Sequence, residues 1–129
     1  MSYVFDSSSI YSAIKLVVLG VLGGNYTVKI AEYELSNIIW KEVSLFRRIT
    51  KEEGIKLLLI TKDILSTMNI EEIDEIKVGE LAMDYNLTFY DASYLWLAIK
   101  KGIPLVSENE KLRKKAENIV EVRRLEDII

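Results

Sequence analysis

Short apolar runs alternate with longer amphipathic segments along the chain. Runs rich in aromatic, aliphatic and β-branched residues that end at Gly, Asn, Asp or Ser are typical of strands buried in a parallel sheet. We predict strands at residues 2–5, 26–30, 69–72, 104–106 and 119–122. Their shortness leaves most of the chain to the segments between them.

Between the predicted strands, apolar residues recur three and four positions apart, as on the buried face of an amphipathic helix. The clearest example is the segment 31–48, where leucine, isoleucine, valine and phenylalanine follow this spacing. We predict helices at residues 8–19, 31–48, 51–66, 76–85 and 88–100, and a short basic helix behind residues 107–110. The alternation of strands and helices indicates an α/β fold with a parallel sheet.

Residues with capping chemistry stand at the ends of several predicted helices. Thr50 with Glu53 and Ser107 with Glu110 have the spacing of capping boxes, in which each side chain bonds the backbone of the other residue. Asn86 is predicted to end its helix in the left-handed conformation. These signals predict where the helices begin and end.

Composition narrows the chemistry that this chain can perform. Its 129 residues, half of them hydrophobic, suit a single domain over residues 1–129. With no cysteine and no histidine, thiol nucleophiles are excluded, and a hard cation such as Mg²⁺ or Mn²⁺ held by oxygen ligands is the most economical alternative. The net charge of −3 means that any polyanion must be bound by a local basic patch. No apolar stretch is long enough to span a bilayer and no signal peptide is recognisable, so we expect a cytoplasmic protein without a membrane partner.

Acidic and polar side chains follow several of the predicted strands. Asp6 directly follows the first strand, Glu34 lies in the first turn after the second, Asp91 opens a later helix, and residues 107–110 follow the fourth. Because helices run antiparallel to the strands they cover, all four positions face the carboxyl edge of the sheet, where ligands bind. A pair of carboxylates roughly 4 Å apart repels by about 4 kcal/mol at an effective dielectric constant of about 20. A bound divalent cation would reverse the sign of that interaction.

Each acid also has a purely structural interpretation. Asp91 has the spacing to cap its helix together with Thr88, and the three serines after the first strand suit helix capping. Glu34 lies at the margin of an apolar helix face, from which it could extend into solvent. Glu42, nearer the middle of that face, fits a structural pair with a lysine or arginine, and we leave it out of the site. Asp6 is hardest to explain in this way, because a strand end inside a sheet offers few solvated positions.

Four motifs stand out, at residues 3–8, 34–37, 87–94 and 104–107, and they read YVFDSS, ELSN, LTFYDASY and PLVS. Their order and spacing over essentially the whole chain resemble those of PIN-domain ribonucleases, in particular the VapC-type toxins. The resemblance implies a three-layer α/β/α sandwich with a central parallel sheet. It also implies an acidic pocket that binds Mg²⁺ or Mn²⁺ and cleaves single-stranded or looped RNA.

The resemblance assigns roles to individual residues. Asp6, Glu34 and Asp91 occupy the positions of the first three acids of the family, so they are expected to be catalytic and to hold the metal ion. Ser8 matches the small hydroxyl residue that supports the first acid, and Ser107 and Glu110 are the other supporting candidates.

The fourth position departs from the pattern of the family. Asn109 stands two residues after Ser107, where an aspartate is usual. An amide oxygen can still ligate or orient a metal-bound water, but it brings no charge and should weaken cation binding. Glu110 either compensates for the missing acid or serves as the N3 acid of the box with Ser107.

These assignments predict a Mg²⁺- or Mn²⁺-dependent endoribonuclease that serves as the toxin of a toxin–antitoxin pair. The basic cluster of Lys111, Arg113 and Lys114 is the candidate for RNA contact. A homodimer and an antitoxin protein are the expected partners, and the crowded apolar residues at 55–60 favour the homodimer independently.

Two hypotheses from other classes stand beside this one. The first is a metal-weak or inactive PIN-like domain that binds another protein, which the asparagine at position 109 favours. The second is a phosphoryl-accepting receiver or a phosphatase on a similar sheet. Asp6 has no neighbouring acid of the kind such proteins need, which weighs against it.

Overall fold

Five short parallel strands form one sheet at the centre of the protein, in a computed structural model that describes all 129 residues. The predicted parallel sheet is confirmed, and in space the strands follow the order β3-β2-β1-β4-β5. The strands are β1 (Val4–Phe5), β2 (Tyr26–Val28), β3 (Asn69–Glu71), β4 (Leu105–Val106) and β5 (Val122–Arg123).

Six α-helices flank the sheet and complete the predicted three-layer α/β/α arrangement. They are α1 (Ser7–Lys15), α2 (Ile30–Trp40), α3 (Lys51–Leu65), α4 (Glu75–Tyr85), α5 (Phe89–Lys101) and α6 (Glu110–Ala116). Short 3₁₀ segments lie at Leu19–Val21 and Leu125–Asp127. No helix is both long enough and apolar enough to cross a lipid bilayer.

The side of the sheet on which successive strands are added changes between β1 and β4, although all strands stay parallel. The chain places β2 and β3 on one side of β1, and then crosses over to place β4 and β5 on the other side. In open α/β sheets a crevice forms at such a switch point, outside the carboxyl ends of the two strands. Asp6 follows β1 and Ser107 follows β4, so both residues lie at this crevice.

The core lies where the two central strands meet α5. Val4, Phe5, Leu105 and Val106 are all completely buried, which fits strands covered by helices on both faces. The face of α5 towards the sheet is apolar and buried, so this helix is fixed by packing along its length. Its first turn therefore presents side chains to the carboxyl edge from a rigid base.

Several of the predicted caps are present. Thr50 and Glu53 form a complete capping box, with the Glu53 amide 3.1 Å from Thr50 Oγ1 and the Thr50 amide 2.9 Å from Glu53 Oε1. Asn86 adopts the left-handed conformation at the end of α4, and Gly102 does so at the end of α5.

The predicted capping box of Ser107 with Glu110 is wrong. Asn109 is the N-cap of α6, and its Oδ1 accepts a hydrogen bond from the Leu112 amide at 3.3 Å. The Ser107 hydroxyl is turned towards Asp6 and accepts the Asn109 amide at 3.0 Å. The helix consequently begins two residues later than a Ser107 cap would place it.

Two helices end earlier than the apolar pattern predicts. Helix α1 stops at Lys15 because Val17 adopts the left-handed conformation, and the Val18 amide bonds back to the Ala13 carbonyl at 3.0 Å in a Schellman motif. Helix α2 stops at Trp40 and continues as one π-helical turn, Lys41–Leu45.

Candidate active site

Asp6 is almost completely buried at the switch point, with 3% of its surface exposed. Its Oδ1 accepts hydrogen bonds from the Ser8 hydroxyl at 2.7 Å, the Ser9 amide at 2.9 Å and the Ser9 hydroxyl at 3.0 Å. Its Oδ2 accepts from the Ser107 hydroxyl at 2.5 Å. Asp6 is therefore itself the N-cap of α1, a role that the sequence suggested for the serines that follow it.

The electrostatics of Asp6 are those of a buried anion without a cationic partner. Burial raises the pKa of its carboxyl group, and the hydrogen bonds from Ser107, Ser8 and Ser9 lower it by less. No lysine or arginine forms an ion pair with it. Neutral hydroxyl and amide dipoles thus provide the only direct compensation for its charge.

Two serines tie this carboxylate to the rest of the edge. Ser8 Oγ donates to Asp6 and accepts the Glu108 amide at 2.9 Å, so it links the start of α1 to the loop after β4. Ser107, which follows β4, donates a hydrogen bond to the other oxygen of the Asp6 carboxylate. The supporting positions predicted for Ser8 and Ser107 therefore both contact Asp6 directly.

Glu34 lies within α2 and its carboxylate turns towards the sheet edge. Its Oε1 accepts hydrogen bonds from the Tyr94 hydroxyl at 2.5 Å and from the Ser7 hydroxyl at 3.1 Å. Burial of the Tyr94 phenol and the adjacent Glu34 carboxylate together raise the pKa of Tyr94. Glu34 is therefore held by two side chains from other helices and does not extend freely into solvent.

Asp91 lies in the first turn of α5 and is half-buried. Its backbone amide donates to Thr88 Oγ1 at 3.1 Å, but its carboxylate makes no reciprocal bond to the Thr88 amide, so only half of a capping box is present. Burial raises the pKa of the Asp91 carboxyl group, against the Thr88 hydrogen bond and the nearby Lys111 charge, which lower it. Asp91 thus presents a half-buried carboxylate in the first turn of a fixed helix, beside Thr88 and Lys111.

The fourth predicted position is only indirectly connected to the acids. The Asn109 amide reaches Ser107, which in turn bonds Asp6, but the Asn109 side-chain oxygen is engaged in capping α6. Glu110 is exposed, and its carboxylate lies 3.4 Å from the Lys114 ammonium. Neither side chain forms a hydrogen bond or an ion pair with Asp6, Glu34 or Asp91.

The oxygen donors suit a hard cation in their chemistry, although no three acidic side chains lie close enough together to hold one ion between them. Asp6 and Glu34 are linked through Ser7, which follows Asp6 in the chain and donates a hydrogen bond to Glu34, and the charges of both carboxylates raise the pKa of the Tyr94 phenol. Asp91 lies three residues before Tyr94 on α5. The arrangement is a chain of acids along one edge.

The predicted RNA-contact residues differ in how free their charges are. Lys111 is exposed and close enough to Asp91 to influence its pKa. Arg113 is half-buried, and its guanidinium donates to the Ser107 carbonyl at 2.9 Å, which gives it a structural role beside the site. The predicted structural pair of Glu42 is present, with Arg48 Nη1 at 3.2 Å.

Sequence reasoning assigned no site role to three residues that contact the acids, Ser7, Ser9 and Tyr94. Tyr94 was part of a motif but received no role. It lies three residues after Asp91 on the same helix, so the two side chains share a helix face. Ser7 and Ser9 were considered only as helix caps. The contacts of Ser7 and Tyr94 with Glu34 depend on side-chain directions between helices far apart in sequence, which no local pattern reports.

Comparison with known proteins identifies the family. Residues 3–118 match the family model of the PIN domain. The chain belongs to the PIN domain family. The resemblance inferred from the four motifs is therefore confirmed.

Individual relatives agree with this membership. The PIN domain is 33% identical over 96 residues to Exonuclease VapC9 of Pyrobaculum aerophilum, covering 72% of this chain and 68% of that protein. Among solved structures it resembles PAE2754 of Pyrobaculum aerophilum, with a TM-score of 0.83 and 24% identity over 99% of this chain and 92% of the other. It also resembles a chain of VapBC2 from Rickettsia felis bound to a promoter DNA fragment, with a TM-score of 0.63 and 20% identity over 96% and 98% of the two chains. At these identities the two structures support the fold alone.

Proposed function

We propose that this PIN domain is a Mg²⁺- or Mn²⁺-dependent endoribonuclease and the toxin of a toxin–antitoxin pair. The observation that carries the proposal is the buried Asp6 carboxylate, which has no cationic partner and lies at the switch point of the sheet. Burying an unpaired charge is costly, so such a group is retained where its charge has a use.

Asp6 and Asp91 are the proposed protein ligands of the cation, with Glu34 contributing directly or through water. Three direct carboxylate ligands are not required, because Mg²⁺ usually keeps several waters and is bound by one or two carboxylates together with substrate phosphate. Asp6 and Asp91 are two such carboxylates.

When bound, such a cation would lower the pKa of a water molecule and would neutralise the charge that develops on the phosphate oxygens. The protein's own contribution is orientation. Ser8, Ser9 and Ser107 fix the Asp6 carboxylate from both sides, and the buried body of α5 fixes the position of Asp91. Lys111 brings positive charge close to Asp91, where it can attract the phosphodiester backbone.

Cleavage of a radiolabelled, partly structured RNA tests this proposal. We expect cleavage with Mg²⁺ or Mn²⁺, none with EDTA, and a loss of at least a hundredfold in Asp6→Asn. Asparagine preserves the shape and the capping oxygen of Asp6, so the variant should fold. Cleavage that persists in EDTA, or in folded Asp6→Asn, would contradict the proposal.

The mode of attack needs its own substrate, since the curated relative is named an exonuclease. A circularised RNA has no ends, so only an endonuclease can cut it. We expect the circle to be linearised at a rate comparable to the cleavage of the same RNA in linear form. If the linear form is degraded from one end while the circle survives, the activity is exonucleolytic.

A second candidate function is that of a metal-weak domain that acts by binding another protein. The observation that favours it is Asn109, whose side chain caps α6 where the family places an acid. Asn109→Asp retains a good N-cap and adds one negative charge. If this variant gains Mn²⁺-dependent cleavage that the natural chain lacks, the second candidate is the better account of the natural chain.

The toxin role is tested by growth and by neutralisation. Support comes from the name of the matched relative, VapC9, and the proposed inhibitor is a small antitoxin that enters the acidic edge. Induction of the chain should arrest growth, whereas Asp6→Asn should not. Co-expression of a cognate antitoxin should restore growth and suppress RNA cleavage in vitro.

A further inference from the structure

Tyr94 combines deep burial with a polar contact to the acidic edge. Its side chain is 1% exposed within α5, and its hydroxyl donates to Glu34 Oε1 at 2.5 Å. This bond joins α5 to α2, two helices that are 60 residues apart in sequence at these positions. Since α5 is packed into the core, the phenol is a fixed donor.

The second donor to Glu34 reaches the same oxygen. Ser7 Oγ, at the start of α1, donates to Oε1 at 3.1 Å. No side chain or backbone group of the protein donates to Oε2. Two donors from two helices therefore hold one oxygen of the carboxylate and leave the other oxygen uncommitted.

We propose that Tyr94 is a positioning residue, which acts through Glu34 by holding Oε1 so that Oε2 faces the ligands of the acidic edge. The inference rests on the proposed metal-dependent function and deepens it. A glutamate has three rotatable side-chain bonds, and removal of its anchoring donors lets the carboxylate adopt orientations in which Oε2 no longer faces an ion at the edge, directly or through water. Outer residues of this kind orient the ligand groups of metal sites and typically change metal affinity by 10–100-fold when mutated.

A double-mutant cycle separates positioning from a merely structural role. The four proteins are the natural chain, Tyr94→Phe, Glu34→Ala and the double variant, and the readout is Mn²⁺ affinity by isothermal titration calorimetry. We expect Tyr94→Phe to weaken Mn²⁺ binding by roughly tenfold. In the Glu34→Ala background, Tyr94→Phe should have no further effect, because the group through which the phenol acts is gone.

Tyr26→Phe is the matched control. Tyr26 is a half-buried tyrosine at the start of β2, at the opposite edge of the sheet, and its hydroxyl makes no hydrogen bond. The Tyr26→Phe variant should bind Mn²⁺ with the same affinity as the natural chain. If Tyr94→Phe does not fold, Ser7→Ala provides the test, since it removes the other donor to the same oxygen and should also weaken Mn²⁺ binding.

The outcomes distinguish this inference from the function on which it rests. Equal Mn²⁺ affinity of Tyr94→Phe and the natural chain would overturn the positioning role while leaving the metal site intact. An equal loss in both backgrounds would also overturn it, because Tyr94 would then act independently of Glu34. Failure of the natural chain to bind Mn²⁺, or binding that survives Asp6→Asn, would overturn the proposed site and the positioning role together.

Discussion

At the scale of single residues, Asp6 shows how local folding and a functional position coincide. It caps α1, closes a network of three serines, and still has its carboxylate pKa raised by burial. A neutral asparagine could perform the capping at less cost in desolvation. The charge is therefore the feature of this position that the fold alone does not explain.

The pH dependence of stability tests that cost in metal-free protein. Because the native pKa of Asp6 is raised, the folded chain binds a proton where the unfolded chain does not, and the free energy of unfolding falls as pH rises. The fall begins near 3.8, the ordinary value, and ends above the raised pKa. Each unit by which the pKa is raised corresponds to about 1.4 kcal/mol.

Asp6→Asn should remove this contribution. We expect the variant to gain stability relative to the natural chain as pH rises through the window, as measured by urea denaturation with EDTA. The raised pKa of Asp91 acts in the same direction in both proteins and cancels from the comparison. A difference between the two proteins that does not change with pH would show that the Asp6 carboxyl is not perturbed in the fold.

Asp91 gives a related prediction that joins stability to metal binding. The Thr88 cap uses the backbone amide of Asp91, so Asp91→Asn preserves it. We expect the metal-free melting temperature of Asp91→Asn to be equal to or above that of the natural chain. Mn²⁺ at a hundred times its dissociation constant should stabilise the natural chain by about 2.7 kcal/mol, and this gain should vanish in the variant.

Differential scanning calorimetry with and without millimolar Mn²⁺ measures both effects. Glu75→Gln is a suitable control, because this acid opens α4 and is exposed. It should keep the full rise in melting temperature on addition of Mn²⁺. An Asp91→Asn protein that still responds like the control would exclude Asp91 as a ligand.

The sequence indicates where acids stand in the chain but not how their side chains are held. Asp6, Glu34 and Asp91 are readable because each follows a strand or opens a helix, which places it at one edge of the sheet. The contacts of Tyr94 and Asn109 could not be predicted from the sequence. They depend on which donor reaches which oxygen, and that is fixed by packing between helices.

At the scale of elements, the crossing of α2 and α3 depends on a glycine inside a helix. Gly54 lies in the first turns of α3, and a Cβ built there would lie 2.5 Å from Val43 Cγ2 in the π-helical turn after α2. Val43 is β-branched and stiff at χ1, so it cannot easily turn away. The absence of a side chain at Gly54 allows the two elements to approach closely.

Gly54→Ala should therefore destabilise the protein, against the usual trend for a helix. In an open helix position alanine is better than glycine by about 1 kcal/mol, whereas overpacking costs typically about 1–3 kcal/mol. The net cost is the difference between these terms, about 0–2 kcal/mol, and we expect Gly54→Ala to lower the free energy of unfolding in urea by about 1 kcal/mol.

Gly79→Ala is the matched control in α4, where an added Cβ would meet no atom within 4 Å. It should raise the free energy of unfolding by up to about 1 kcal/mol. Stabilisation of both variants to the same extent would show that Val43 yields to the added methyl group.

Element types were easier to predict than element ends. The spacing of apolar residues identified the helices and the strands, and Thr50 with Glu53 fixed the start of α3 within a residue. The ends of α1 and α2 were missed because Val17 takes a left-handed conformation that β-branched residues rarely adopt, and because a π-turn has no local sequence signal.

At the scale of the whole molecule, one helix carries more apolar side chains than the core can cover. The notable apolar run at 55–60 in α3 leaves Ile55, Leu59 and Ile60 49%, 60% and 42% exposed, while Leu57 and Leu58 are partly buried. The exposure expected from the sequence is therefore present. Exposed apolar surface of this kind on one helix is typical of a protein interface.

We predict that the protein is a homodimer whose two-fold interface includes the exposed face of α3. In a two-fold interface the same patch is used by both subunits, so a single charged substitution is introduced twice into the apolar interface. Leu59→Glu should therefore convert the dimer to a monomer, as measured by size-exclusion chromatography with light scattering at about 50 µM.

Met83→Glu on α4 is the control, because Met83 is 84% exposed and belongs to a different helix. It should remain dimeric. A natural chain that is monomeric at this concentration would remove the dimer, and a dimer disrupted by Met83→Glu but not by Leu59→Glu would place the interface on α4.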